Sequence, residues 1–491
     1  LERREKVKRL NMVLLMGAVL LLGLSALGAC PPGSIPLTSD ATALTIATPG
    51  TYCVPATGIS RSAGINITAN DVVIVGETPD ATITGYIVVN SGKMNVVLRS
   101  FKITGWGSNP AVEDKGAYQL LIDGVTFDDG TGQSAQAILV SGAAYQPVIR
   151  NCKFVMDDSD GVAVIELDGG MNAKIHDNRV IGYDDFPDFF VLVTTAYNGL
   201  EVYNNTANML ECFLDAGWSD ADGSLTNSVI RDNTATIYSY NDYYGIIVFA
   251  GANVEIRRNK LTVGWADVTE ALIYVAGTNV TVAGNTLDAR LGLWTGSATE
   301  AGVGVIVTEG TNTVISGNNV LATKNAPAIY VAPGAVNAVV ENNEITEVVD
   351  PFVYYDSDGD GVADALYDID GDGNDEGATI YVEAMNAQLR GNRITGVEGA
   401  DAHGIFIASG NVTVLNNTIK NVDDGVGILV YDTMNNTIQG NTLESIGQDG
   451  ILLDTADADN NTVRGNTLKK VALRAVVQTA TDPAIGDYAA I

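Results

Sequence analysis

Cysteine, histidine and basic residues are scarce in this sequence. Its 491 residues include four Cys, two His and 27 Lys or Arg against 59 Asp or Glu, so the formal net charge is -32. Four cysteines are too few for a disulfide scaffold, and two histidines leave little imidazole for transition-metal sites. The shortage of basic residues argues against binding to nucleic acid or to an anionic membrane surface, because both require positively charged patches.

Helical periodicity is missing as well, and a short repeat takes its place. The repeat has alternating apolar residues, a polar pair, Asn, a polar residue and an aliphatic residue, as in EIRRNKL (255–261) and TVAGNTL (281–287). Most gaps between successive repeats are 24 to 28 residues. The repeated Asn stands at positions 178, 205, 233, 259, 285, 318, 343, 392, 417, 441 and 466.

A repeat of this length with alternating apolar residues predicts one coil of short strands per repeat. Stacked coils pair their strands in parallel about 4.8 Å apart, and about sixteen coils fit the chain. The repeated Asn is expected at a tight turn, where its side chain bonds the same Asn one coil away. Upstream, the same frame puts Phe101, Val125 and Cys152 at the ladder position, so we expect Cys152 to be buried.

The opening segment, Ala43 to Gly85, resembles the first coils of right-handed parallel β-helix proteins of the pectin-lyase-like superfold. The resemblance covers roughly residues 40 to 475. It is strongest to secreted carbohydrate-binding proteins and sugar hydrolases, and to a periplasmic protein that helps mature copper sites. It implies an all-β, single-stranded, right-handed parallel β-helix with an Asn ladder. A copper role is disfavoured because His176 and His403 are the only histidines.

The N-terminal segment has the layout of an export signal. Basic residues precede an apolar run that ends in Leu27-Gly28-Ala29-Cys30. This ending resembles the lipobox of bacterial lipoproteins, in which the cysteine is acylated. We therefore expect an exported protein, anchored by lipid at Cys30 in the bacterial cell envelope, at the outer membrane or cell surface. The alternatives are an ordinary signal peptide with an incidental cysteine and an N-terminal transmembrane helix.

These features divide the chain into four parts. Residues 1–29 are predicted as a lipoprotein signal peptide and residues 30–42 as an anchor linker. Residues 43–475 form the β-helix, with an acidic loop inserted at 356–376, and residues 476–491 form a C-terminal cap that covers unpaired strand edges.

The inserted loop, DSDGDGVADALYDIDGDGNDE, alternates Asp with other residues around glycines. Alternate carboxylates on a glycine-turned loop suit a calcium ion, which takes six to eight oxygen ligands. The spacing resembles the tandem calcium loops of thrombospondin type 3 and dockerin-like repeats, although Tyr367 and Thr379 replace the EF-hand's last Glu. The alternative is a solvated acidic insertion. The predicted ligands of this structural calcium are Asp356, Asp358, Asp360, Asp364, Asp368, Asp370, Asp372 and Asp375.

Several predicted turns share acidic and aromatic residues, which suits a carbohydrate-binding groove because carboxylates bond sugar hydroxyls and rings contact pyranose faces. Asp158, Asp184 and Asp185 are candidate catalytic carboxylates, since glycoside hydrolysis uses a pair of them. The alternative is that turns of a very acidic protein simply collect Asp and Tyr. The other groove candidates are Asp157, Tyr183, Asp215, Tyr238, Tyr240, Asp242, Trp265, Asp267 and Trp294.

The function favoured by the sequence is binding of a polysaccharide or other surface component, with calcium in the inserted loop. A glycan-active enzyme, either a glycoside hydrolase or a polysaccharide lyase, is the alternative, and the sequence does not decide between them. The ordered N-T-D, D-D, G-H-G and R-I-K motifs of pectinases are missing. The oligomeric state stays open.

Overall fold

A computed structural model describes residues 30–128, 135–156, 163–182, 187–217, 223–238, 245–264, 266–267, 271–293, 304–324, 326–351, 377–454, 460–478, 484–485 and 489–490. Every regular element in these ranges is a β-strand. Nearly all strands pair in parallel along three ladders of a right-handed β-helix, which confirms the predicted fold. Within the same ranges, no helix is long and apolar enough to cross a membrane.

The first ladder precedes the Asn turn of each coil. Its strands are Ile35–Pro36, Gly50–Val54, Val72–Gly76, Val97–Arg99, Leu121–Asp123, Val148–Arg150, Lys174–His176, Ala196–Asn198, Glu201–Tyr203, Ser224–Arg231, Gly251–Arg257, Thr281–Ala283, Val314–Ser316, Val339–Glu341, Gln388–Arg390, Thr413–Leu415, Thr437–Gln439, Thr462–Arg464 and Ala484–Ile485. In most of them the central residue points inward and is fully buried.

The second ladder follows the Asn turn. Its strands are Ile59–Ile67, Thr82–Val89, Lys102–Thr104, Thr126–Asp128, Lys153–Met156, Arg179–Gly182, Thr206–Leu210, Thr234–Ile237, Lys260–Val263, Thr286–Asp288, Asn319–Lys324, Glu344–Val349, Arg393–Ala400, Thr418–Asp424, Thr442–Ile446, Thr467–Val471 and Ala489–Ala490. The first two of these are long enough to pair in the third ladder as well.

The third ladder completes each coil. Its remaining strands are Leu44–Ile46, Val112–Asp114, Ile138–Ser141, Ala163–Asp168, Phe189–Val193, Cys212–Ala216, Ile246–Val248, Ala271–Val275, Gly304–Thr308, Ile329–Val331, Gly377–Val382, Ala402–Ile407, Ile428–Tyr431, Ile451–Asp454 and Val476–Gln478. A separate two-stranded pair joins Ala266–Asp267 to Gly292–Leu293. Inward side chains of all three ladders stack into one continuous apolar core.

The Asn turn connects the first ladder to the second through two residues. The first, such as Asn342 with φ 53°, has the left-handed conformation that Asn, Asp and Gly tolerate best. The second is the ladder Asn, whose backbone N and Nδ2 both donate to Oδ1 of the next ladder Asn. From Asn178 to Asn466 the Nδ2 to Oδ1 distances are 2.9–3.1 Å. The predicted Asn ladder is therefore confirmed at every predicted position.

A second row of asparagines occupies the corner between the third and first ladders. Its members are exposed, have φ near +50°, and bond through Nδ2 to the preceding Asn at 2.8–3.2 Å. The sequence reasoning missed this row. Its members are Asn227, Asn253, Asn279, Asn312 and Asn337, and the row begins with the bond from Asn227 to Oδ1 of Asn198.

Three further findings refine the predictions. About 13 turns have the regular three-strand form, slightly fewer than the predicted sixteen, and the long N-terminal strands each serve two ladders. Strand Ile35–Pro36, inside the predicted linker 30–42, pairs with Tyr52 and Cys53. Cys152 is buried, as expected.

Cys30 forms a disulfide with Cys53. Their Cα atoms lie 5.8 Å apart, within the usual range for disulfides. This pairing conflicts with the prediction of a lipid on Cys30, because one sulfur cannot form both a disulfide and a thioether. The sequence proposed no partner for Cys53, and Cys212 is a buried free cysteine.

Replacing a ladder Asn should destabilise the helix strongly. In Asn285→Ala, the backbone N and Nδ2 of Asn259 lose their acceptor and the carbonyl of Ile256 loses its donor. Buried polar groups left without partners cost about 1–3 kcal/mol each. We expect urea denaturation to show a loss of about 3 kcal/mol, against less than about 1 kcal/mol for Asn279→Gly, which removes an exposed Asn and preserves the left-handed backbone. Equal losses would contradict a special role of the buried ladder.

Asp114 should make stability fall as the pH rises. Burial, partly offset by bonds from the backbone N of Gly116 and Ala117, raises its pKa from 3.8 to about 6. Folding therefore favours the protonated carboxyl. The resulting contribution to the free energy of unfolding is fully present below pH 3.8 and is lost as the pH rises through 6. We expect wild type to lose about 2 kcal/mol between pH 4 and 7 relative to Asp114→Asn. If the free energies of unfolding of the two proteins, measured by urea denaturation, change with pH in the same way, this role of Asp114 is refuted.

A thiol titration distinguishes the disulfide from the lipid anchor. Burial raises the pKa of Cys152 to about 12 and that of Cys212 well above its usual value, so neither should react in the folded protein. After unfolding without reductant, we expect dithionitrobenzoate to detect only Cys152 and Cys212. A third thiol, from Cys53, would indicate that Cys30 is acylated instead.

Candidate functional site

Alternate side chains of the third ladder point away from the core and form an outer column. From Ile247 onward the column is almost completely buried and belongs to a second apolar cluster. Its earlier part is acidic. The column, in register along the ladder, is Glu113, Leu139, Glu166, Leu192, Asp215, Ile247, Tyr274, Val307, Tyr330, Tyr381, Phe406, Leu429 and Leu452.

The connection between the second and third ladders is a single residue at Glu211, as it is again at Asp401. Glu211 alone joins Thr206–Leu210 to Cys212–Ala216, whereas residues 183–188 and 238–245 make the same connection in the neighbouring coils. A single residue cannot extend far from the ladder. Glu211 therefore stays close to the third ladder.

Three carboxylates influence the buried thiol of Cys212. The pKa of this thiol lies well above its usual value because of burial first, and then because of the negative charges of Asp215, Glu211 and Asp188. Asp215 is fully buried, and Asp188 nearly so. Asp188 and Glu211 lie on adjacent coils, since the carbonyl of Asp188 accepts a bond from the backbone N of Cys212 at 2.6 Å.

Glu166 extends this acidic group by one more coil. It lies in the outer column two coils before Asp215, with Leu192 between them, and accepts a bond from Nε2 of Gln136. With coils about 4.8 Å apart, the backbones of Glu166 and Asp215 are roughly 10 Å apart, and those of Asp188 and Glu211 about 5 Å. We refer to Glu166, Asp188, Glu211 and Asp215 as the acidic cluster.

Aromatic rings follow the acidic cluster directly. Phe249, 41% exposed, stacks on Tyr274 with ring centroids 6.0 Å apart and an angle of 14°. Phe249 lies one coil beyond Gly217, which follows Asp215 by two residues. An exposed ring thus lies within one coil of the acids. Further along the ladder, ring contacts continue through Tyr330, Tyr381, Phe406 and Tyr431, and the last two rings are stacked.

Of the predicted groove residues, the structure describes three. Asp215 belongs to the acidic cluster. Tyr238 is half-buried just after Thr234–Ile237, and its backbone N donates to the carbonyl of Leu210 at 2.7 Å. Asp267 pairs with Leu293 in the separate two-stranded pair. The remaining candidates lie outside the described residues: Asp157, Asp158, Tyr183, Asp184, Asp185, Tyr240, Asp242, Trp265 and Trp294, with the calcium candidates Asp356, Asp358, Asp360, Asp364, Asp368, Asp370, Asp372 and Asp375.

Glu166, Asp188, Glu211 and Phe249 were not predicted. One signal was present, because MLECFLDA (209–216) holds two apolar stretches with only Glu211 between them. Burial lowers the pKa of His403 to about 3, and its Nδ1 accepts a bond from the backbone N of Val426. This histidine is a neutral part of the ladder. In the part of the chain that the structure describes, no three His, Cys, Asp or Glu residues are grouped so that they could hold a metal.

Comparison with protein families gives one match. The model of the right handed beta helix region matches residues 217–363 and 367–483. No curated protein matches the sequence.

Solved structures share the fold at low sequence identity. A mutant tailspike protein of E. coli bacteriophage HK620, in complex with a hexasaccharide, is 13% identical, with 89% of this chain and 73% of that chain covered and a TM-score of 0.49. DFA-IIIase from Arthrobacter chlorophenolicus A6 is 15% identical, with 62% and 89% covered and a TM-score of 0.40. PfbA, a surface adhesin of Streptococcus pneumoniae, is 12% identical, with 72% and 83% covered and a TM-score of 0.38.

Proposed function

Because the chain belongs to the right-handed β-helix family, we propose that it binds a glycan along the outer face of the third ladder. The observation that carries this proposal is the exposed Phe249 ring, stacked on Tyr274, beside the acidic cluster. Carboxylates accept hydrogen bonds from sugar hydroxyls, and aromatic rings contact the apolar faces of pyranoses. The site thus combines the two kinds of group that sugars require.

The predicted groove residues extend the proposed site along the chain. Asp157, Asp158, Tyr183, Asp184 and Asp185 all fall between a second-ladder strand and the next third-ladder strand, as Glu211 does. Equal positions in successive coils become neighbours in a stacked helix. The proposed glycan site therefore follows one side of the rod rather than a single coil.

Hydrolysis of a bound glycan is the second candidate, and carboxylate spacing supports it. Retaining glycosidases hold two carboxyl groups about 5 Å apart, and inverting enzymes hold them roughly 6.5–9.5 Å apart. The backbones of Asp188 and Glu211, on adjacent coils about 5 Å apart, suit the first arrangement. Asp158, Asp184 and Asp185 stay alternative catalytic candidates.

Phe249→Ala tests glycan binding at this face. We expect a glycan array to identify a ligand for wild type, and Phe249→Ala to weaken that binding about tenfold because the stacking surface is lost. Met385→Ala, which removes another exposed apolar side chain four coils further along the rod, should bind as wild type does. A wild type that binds no glycan, or variants that behave alike, would refute the site.

The same ligands distinguish binding from catalysis. If wild type releases shorter saccharides and Glu211→Gln releases none while still binding, Glu211 belongs to an enzyme. Binding without release by wild type would leave a binding protein.

We also propose that the segment 356–376 binds calcium, supported by its alternating aspartates and glycines. Titration calorimetry with calcium chloride should show binding to wild type that Asp358→Asn with Asp370→Asn abolishes. The control pair Asp423→Asn with Asp424→Asn removes the same charge from an exposed strand end and should leave calcium binding intact. If wild type binds no calcium, the segment is a solvated acidic insertion.

Export to the cell envelope completes the proposal. The signal-like N-terminus and the Cys30–Cys53 disulfide both support it, since disulfides persist in oxidising compartments. The lipid anchor at Cys30 stays a prediction that excludes the disulfide in the same molecule. Detection of the chain in a periplasmic or surface fraction supports export, and detection only in the cytoplasm contradicts it.

A further inference from the structure

Basic side chains are distributed unevenly around the rod. The strands given above for the third ladder alone contain no Lys or Arg. Arg290, just after Thr286–Asp288, is bonded to Asp288 through both Nε and Nη2. Most other basic residues of the described chain lie on the first and second ladders. In the described chain, most positive groups therefore lie on the two ladders other than the third.

Seven consecutive coils of the first ladder carry an unbroken row of polar and aromatic side chains. Each row member is the last residue of its strand, points outward, and pairs in register with the next. We call this row the arginine column. Its members are Arg99, Asp123, Arg150, His176, Tyr203, Arg231 and Arg257.

Planar groups of the column stack on one another. The rings of His176 and Tyr203 are 4.6 Å apart and nearly parallel, at 3°. Cζ of Arg231 lies 4.3 Å from the centroid of the Tyr203 ring, a cation–π contact. Stacking fixes these side chains, so they lose little further freedom when a ligand binds.

The column contains more positive than negative charge. Arg99 and Arg150 share one carboxylate, Asp123, with Nη2 to Oδ2 distances of 3.4 and 3.0 Å. Arg231 and Arg258 likewise share Asp232, at 2.9 and 2.7 Å. Each group of two arginines and one aspartate keeps a net charge of about +1.

The arginine side chains of the column reach solvent. Those of Arg99, Arg150 and Arg257 are 26%, 34% and 40% exposed, although their Nε atoms are buried and have no hydrogen-bond partner in the part of the chain that the structure describes. Arg257 is also paired with Glu255, with Nη1 and Oε2 3.2 Å apart. An anionic group at this face would therefore meet surplus positive charge on partly exposed arginine side chains.

The overall negative charge does not prevent such binding. At physiological ionic strength the Debye length is about 8 Å, so charges on the far side of the rod are screened. Coils spaced about 4.8 Å apart place Arg99 and Arg257 roughly 29 Å apart along the rod, which suits a linear polymer with regularly repeated charges.

We propose that the arginine column binds an anionic polysaccharide, one that carries carboxylate or sulfate groups, on a face separate from the third ladder. This assigns to the first ladder a ligand that the acidic cluster repels. The two sites then bind different glycans of a surface: the arginine column binds anionic ones, and the third-ladder site binds those without negative charge.

Paired charge-removing variants test the proposal with polygalacturonate and dextran sulfate as probes and uncharged dextran as a reference. Arg99→Gln with Arg150→Gln, and Arg231→Gln with Arg258→Gln, should each weaken binding of at least one polyanion about tenfold at physiological ionic strength. The control Arg390→Gln with Arg393→Gln removes the same charge at a distant coil and should change binding less than about twofold. If one of these two double variants fails to fold, the other still tests the proposal.

The binding results for these variants distinguish the arginine column from the third-ladder site. Phe249→Ala should bind the polyanions as wild type does, whatever its effect on other glycans. The proposal is overturned if neither polyanion binds wild type, if uncharged dextran binds equally well, or if the control pair weakens binding as much as the column pairs, since the effect would then follow net charge alone.

Discussion

Hydrogen bonding along the buried Asn ladder is the constraint from which the rest of the structure follows. A two-residue turn buries backbone N–H groups that have no strand partner, and the ladder Asn supplies an acceptor from the next coil. Each Nδ2 also donates to a carbonyl of the first ladder, as Asn285 does to Ile256. Only the same residue at the same position in the next coil satisfies this arrangement, so the register of the first two ladders is fixed from Asn178 to Asn466.

A fixed register at one corner leaves the other corners free to vary. The connection from the second to the third ladder ranges from Glu211 alone to residues 350–376, and strand pairing continues on both sides of each. Surface chemistry can therefore differ from face to face while the core stays uniform. The acidic cluster and the arginine column occupy different ladders for this reason, with the apolar core between them.

The sequence was most informative where one residue type must recur. Asn at eleven positions predicted the buried ladder. Asn also stands six residues before most of them, such as Asn279 before Asn285, and this pattern indicated the exposed Asn row that was not predicted. The third ladder was harder to predict, because both of its faces are apolar over much of its length and strands such as Phe189–Val193 show no alternation. Glu166 and Asp188 could not be assigned to one face without the register of neighbouring coils. The pairing of Cys30 with Cys53 likewise depends on the return of the chain one coil later.

The Cys30–Cys53 disulfide has a mechanical consequence. Hydrogen bonds between coils run along the rod axis, so a pull on the two ends loads the coils in series, and the terminal coil, which has a neighbour on one side only, opens most easily. At the N-terminal end the first strand, Ile35–Pro36, holds to Gly50–Val54 through only two residue pairs. The covalent bond from Cys30 to Cys53 carries the load that those pairs cannot, and it transfers tension from the N-terminal segment directly into the second strand of the first ladder.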